Sequence, residues 1–135
     1  MRHLTIEMRP PGTRRTVGID VGIAKLIKAL WQADIHTLNS CQDRAEESTP
    51  KPGIAWIEFA TAADGMEFLD IVQGDGIDHQ EWDISHVIDD RSDEAGVCDH
   101  HLSLSVRYPF EQTDELAKRV RAYAQFLKSN QQEAA

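Results

Sequence analysis

The sequence predicts an α+β fold, a two-layer sandwich in which helices cover one face of a mainly antiparallel sheet. Three observations predict it. Between Gly18 and Gln42, apolar residues fall at Ile23, Leu26, Ile27, Leu30 and Trp31, the spacing of a helix with one buried face. The segments 54–60 and 101–108 alternate apolar and polar residues, as half-buried strands do. Pairs of such strands are separated by helical stretches, giving the order (β)-α-β-β-α-β-β-α, which suits helices layered on a sheet.

Residues 3–8 alternate Leu4, Ile6 and Met8 with Thr5 and Glu7 and read as a short edge strand ended by Pro10-Pro11-Gly12. Arg14 and Arg15 lie in the link to the first helix, which Asp20 is placed to cap. Lys25, Lys28 and Gln32 fall on its wet side, and Asp34 takes the exit, where a left-handed conformation is needed. Residues 35–41 alternate as a strand, with Cys41 expected to face the core. The polar segment 42–53 reads as a surface loop. In the next strand Ala55, Ile57 and Phe59 share one face, with Ile54, Trp56 and Glu58 on the other.

Thr61 caps the second helix, whose buried side is marked by Gly65, Phe68, Leu69 and Val72 with help from Met66; Gly74-Asp75-Gly76 stops it. Residues 82–88 read as a strand and 89–96 as an acidic connection. In the strand 101–108, Leu102, Leu104, Val106 and Tyr108 point inward, and His101, Ser103, Ser105 and Arg107 outward. The last helix runs from about Asp114 to Lys128 behind Thr113, with Leu116, Val120, Tyr123 and Leu127 as its stripe. The 135 residues therefore form one domain over 1–128, followed by a disordered tail at 129–135.

A formal net charge of −9 argues against duplex nucleic acid and against an anionic membrane surface as partners. Acidic residues crowd the segment 75–99, whereas the N-terminal segment holds Arg2, Arg9, Arg14 and Arg15 against Glu7 alone. Two cysteines imply no disulfide framework, and no apolar run suits a signal peptide or a bilayer span; the expectation is a cytoplasmic protein with reduced thiols and no cofactor.

Several residues carry candidate chemistry. Arg107, flanked by Ser103 and Ser105, needs an anion if its sheet face is covered, which makes Arg107, Trp82 and His79 a candidate ligand site for a small anionic ligand. Cys98 and His100 share one side of a strand and offer two metal ligands, with His101 pointing the opposite way. The acidic run 89–94 lacks the calcium-loop pattern. Cys41 is a possible nucleophile with His36 or His86 as base. Trp56 and Ile54 on the outer face suggest either cover by the N-terminal segment or a protein partner, a second copy in a homodimer.

Two resemblances follow from motifs. Asp20-Val21-Gly22-Ile23 through Leu30-Trp31, and Thr37-Leu38-Asn39-Ser40-Cys41-Gln42, resemble the D-x-G-I-x-x-L-I-x-x-L-W and T-x-x-S-C-Q motifs of small uncharacterised bacterial, mainly actinobacterial, proteins, and the likeness extends to Ser105–Pro109. It brings no activity. The segment Asp78-His79-Gln80-Glu81-Trp82 resembles the H-H-P-E-W motif of the pterin carbinolamine dehydratases, matching at His79, Glu81 and Trp82. That resemblance implies a dehydratase-like enzyme with His79 as base and Glu81 or His101 supplying the acid. The readings are thus a ligand- or partner-binding protein without catalytic apparatus, a dehydratase using His79, or a metal-binding regulator using Cys98 and His100.

Overall fold

The computed structural model describes residues 4–41, 53–74, 76–92 and 98–133, with side chains described for 4–41, 53–74, 76–86 and 102–131. An N-terminal hairpin pairs β1 (Thr5–Met8) with β2 (Val17–Asp20), and α1 (Ala24–Gln32) follows. Then come β3 (Thr37–Cys41), β4 (Ile54–Phe59), α2 (Ala62–Val72), β5 (Asp83–Ser92), β6 (Cys98–Pro109) and α3 (Thr113–Glu133). The main sheet is antiparallel with strand order β3-β4-β6-β5, and the hairpin is a separate two-stranded sheet. This is the α+β sandwich that the hydrophobic periodicities predict.

The inner face of the sheet carries the core. Ala55, Ile57 and Phe59 from β4 and Leu104, Val106 and Tyr108 from β6 are buried under Phe68 and Val72 of α2, Leu116 and Val120 of α3, and Leu26, Ile27 and Leu30 of α1. α3 packs against both other helices. Gly65 lets α2 sit against β6: a Cβ there would lie 2.3 Å from the Leu104 side chain, closer than any carbon tolerates. Tyr108 is buried with its hydroxyl 3.3 Å from Thr113 Oγ1, and burial raises its pKa. On the flank of α3 the Tyr123 hydroxyl donates to Glu67 of α2 at 3.0 Å; that bond to a carboxylate, and secondarily burial, raises the Tyr123 pKa. Among the described residues every buried side-chain polar atom has a hydrogen-bond partner.

α1 ends as the sequence requires. The N–H of Ile35 donates to Leu30 O at 2.9 Å and that of Asp34 to Trp31 O at 3.1 Å, with Asp34 at φ 62, the Schellman arrangement. Thr61 caps α2 by accepting from the Asp64 N–H at 3.0 Å.

Other details differ from the sequence reading. Residues 17–20 form a strand, because Val17 and Ile19 are matched across the hairpin by Met8 and Ile6. Asp20 therefore ends β2, and a 3₁₀ turn, Val21–Ile23, precedes α1 with no side-chain cap bond. Met66 is exposed rather than buried. Cys41 pairs with Trp56, an outer-face residue, and is half-buried instead of facing the core. The strands flanking the acidic segment are longer than read: β5 continues through Asp89 and Asp90 to Ser92, and β6 begins at Cys98. α3 continues through the supposed tail to Glu133, since Ser129 to Glu133 hold no proline or glycine to stop it. The loop 42–52 lies outside the described residues.

Candidate functional site

The residues that the sequence singled out converge only in part: His79, Glu81 and Trp82 share one turn, and Arg107 lies on the other face of the sheet. The turn before β5 is a packed structural corner. Asp78 Oδ1 accepts from the Gln80 N–H at 3.0 Å, and the Trp82 N–H donates to His79 O at 3.1 Å. The Trp82 ring is half-buried, with centroids 6.1 Å from Phe68, 5.7 Å from Tyr108 and 4.7 Å from His79. Its indole N–H donates to Gln112 Oε1 at 2.7 Å, and the Gln112 amide donates to Asp78 O at 2.7 Å. Trp82 thus closes the core on the helix side of the sheet. His79 and Glu81 are exposed at its rim.

Arg107 lies on the other face. It pairs in register with Trp56 and Asp83, alternates with the buried Val106 and Tyr108, and is exposed. Its neighbours Ser103 and Ser105 are buried all the same, and Ser105 Oγ accepts the Trp56 indole N–H at 2.6 Å. Arg107 and Trp82 therefore do not share one ligand site. Ile54, beside Trp56 on that face, is 48% exposed.

Nor does His101 join His79 and Glu81. In backbone register His101 opposes Asp89, six residues along β6 from the Arg107–Asp83 pair next to the His79 turn, a separation of roughly 20 Å at strand rise. His79 and His101 cannot act on one small substrate across that span. Cys98 and His100 pair with Ser92 and Asp90 at the far end of the same ribbon, and their side chains lie outside those described. Cys41 on β3 and His86 on β5 occupy opposite edges of the sheet. His36 instead contacts Asp34, with 3.0 Å between Nε2 and Oδ1.

The described residues build a groove of about 550 Å³ between the hairpin and α1. Pro11 and Gly12 make it possible: Thr13 N–H donates to Pro10 O at 3.2 Å and Gly12 takes φ 76, a type II turn that returns the chain toward β2. Strand alternation then puts Ile6 and Met8 on the side facing α1, while Glu7 on the other side accepts from Thr16 Oγ1 at 2.7 Å. From α1, Ala24, Lys28 and Trp31 lie at i, i+4 and i+7 along one ridge, with Lys25 and Gln32 beside them. Trp31 is half-buried and its indole N–H donates to Thr37 Oγ1 at 3.0 Å. Ile6, Met8, Pro11, Ala24 and Trp31 form the apolar floor, and Arg9, Lys25 and Lys28 the rim. No acidic residue lines it. Sequence reasoning missed this site by assigning Lys25 and Lys28 to the solvated face of a lone helix. The available signal was the basic N-terminal segment, whose Arg9 the hairpin carries toward them.

Fold and groove together define a small α+β sandwich with an apolar, cation-rimmed groove. No family model matches the chain, and no solved structure matches it. Among curated proteins it is similar to the "Uncharacterized protein R428" of Acanthamoeba polyphaga mimivirus, 29% identical over 134 residues, covering 85% of this chain and 67% of that protein. No helix among the described residues is long and apolar enough to cross a membrane.

Proposed function

We propose that this chain is a small binding protein that acts without catalysing a reaction and takes an apolar-bodied ligand into the groove between its hairpin and α1. One observation carries the reading: a groove of about 550 Å³ whose floor, among the described residues, is the apolar set Ile6, Met8, Ala24 and Trp31. Its volume falls within the range of small-molecule sites, and polar groups confined to the rim of an apolar concavity are how such sites orient a ligand. A dehydratase needs two groups that move protons at one substrate. Of the two acids that the resemblance offers His79, His101 sits at the far end of the β5–β6 ribbon and Glu81 is exposed in the same turn.

The test uses the neutral dye N-phenyl-1-naphthylamine, which fluoresces on entering apolar surroundings. Saturable binding of one dye per chain is expected, weakened about tenfold or more by Ala24→Leu, which fills the floor, and by Ile6→Glu, which charges it. Both variants are checked for an unchanged melting temperature. Absence of saturable binding, or binding indifferent to both substitutions, rules the reading out.

A further inference from the structure

Resting on the groove as the binding site, we infer that its ligand is a single-chain anionic amphiphile, bound as a free monomer with its carboxylate or phosphate head at Arg9 and Lys28. The charge of the groove runs against that of the protein. The chain holds 23 acidic and 14 basic residues, yet the lining contains three bases and no acid. Lys25 reaches Asp114 at 3.9 Å, a long pair between exposed side chains that contributes little and leaves the ammonium available. Arg9 and Lys28 have no carboxylate partner among the described residues.

These cations sit beside apolar surface, where displaced water strengthens their attraction for an anion. The floor selects the rest of the ligand. Ile6, Met8, Pro11 and Ala24 offer no hydrogen bonds, the Trp31 indole N–H is committed to Thr37, and Gln32 is the one neutral polar side chain in the lining. A nucleobase or sugar would bury several polar edges there without partners, a cost that an alkyl chain does not carry. The net charge of −9 repels an anionic bilayer as a whole, so the groove suits a monomer in solution rather than a lipid surface.

Displacement of the bound dye tests this. Dodecanoate, kept like the other amphiphiles below its micellar range, is expected to displace the dye at about tenfold lower concentration than dodecyltrimethylammonium, with dodecyl maltoside, a neutral head on a chain of the same length, between them. The double variant Arg9→Gln/Lys28→Gln should bring the ratio between anion and cation close to one. Dye binding with equal displacement by both charged chains, or a ratio unmoved in the double variant, overturns the anion assignment and leaves the groove reading standing. Adenosine monophosphate displacing the dye better than dodecanoate overturns the alkyl body. Cosedimentation with vesicles of anionic phospholipid, without displacement by monomeric dodecanoate, overturns the free-monomer assignment. Failure of the dye itself to bind overturns both readings together.

Discussion

Trp31 and Trp82 are both half-buried, each donates its indole N–H to a side chain, and each stands at the edge of the core, yet their surroundings differ. Trp82 is packed into the core side of its corner. Phe68 stacks on its ring, Tyr108 tilts toward it, and Gln112 ties its N–H to the backbone of Asp78. Beside Trp31 the hairpin stands off from α1 and leaves a groove. The resemblance to a catalytic motif falls on the closed corner, and the open one is bordered by lysines that look like ordinary helix surface. Side chains that complete a core have no room for a substrate, so a motif match is informative only with its packing in view.

The contrast breaks if substitutions at the closed corner prove cheap. Trp82→Ala is expected to cost about 3 kcal/mol, the lower end for removing a large aromatic ring because this one is half-buried, read from urea unfolding. Gly65→Ala should cost about 2 kcal/mol, because its methyl must displace Leu104 in a filled interior; a stabilising effect would show that α2 and β6 can separate. Gln112→Ala, which strips both the Trp82 N–H and Asp78 O of their partner, should cost about 1 kcal/mol.

Alkali sharpens the comparison further. Tyr108 and Tyr123 have pKa values raised above the ordinary 10.0 in the folded protein, by burial at Tyr108 and by the bond to Glu67 at Tyr123. Folding thus favours the protonated hydroxyls. Their contribution is fully present below pH 10 and is lost as pH rises from there through the folded values. Thermal melts should therefore fall steeply above pH 10, with a shallower slope in Tyr123→Phe; identical slopes would remove Tyr123 from the account. The smallest effect is expected at the groove: Lys28→Gln should leave stability within about 0.5 kcal/mol, since its exposed side chain supports no packing.

The main elements were legible because their patterns are local. Ile57 and Phe59 alternate onto one face, Leu26, Ile27 and Leu30 recur on another, and each is fully buried as its spacing demands. Asp34 was legible as a left-handed exit for the same reason. What escaped depends on distant partners. Val17 and Ile19 are too short an alternation to announce a strand until Met8 and Ile6 lie opposite them. Arg9 and Lys28 are far apart in sequence, and only the hairpin turn at Pro11-Gly12 makes them neighbours of one groove. Arg107 was read on the correct face, but no sequence pattern shows that Trp82, next to its register partner Asp83, belongs to the opposite side.

Among the described residues the hairpin shares no strand pairing with the four-stranded sheet, and two strands alone are marginally stable in water. One wall of the groove therefore keeps its own clock. Ile19 and Met8 tie it to the core without strand pairing, so its detachment need not wait for that of β4 and β6, and its amides are expected to exchange with solvent earlier than theirs. A bound molecule bridging Met8 and Lys28 would slow that detachment, and the site would register its own occupancy as a change in the lifetime of the wall rather than in the shape of the protein.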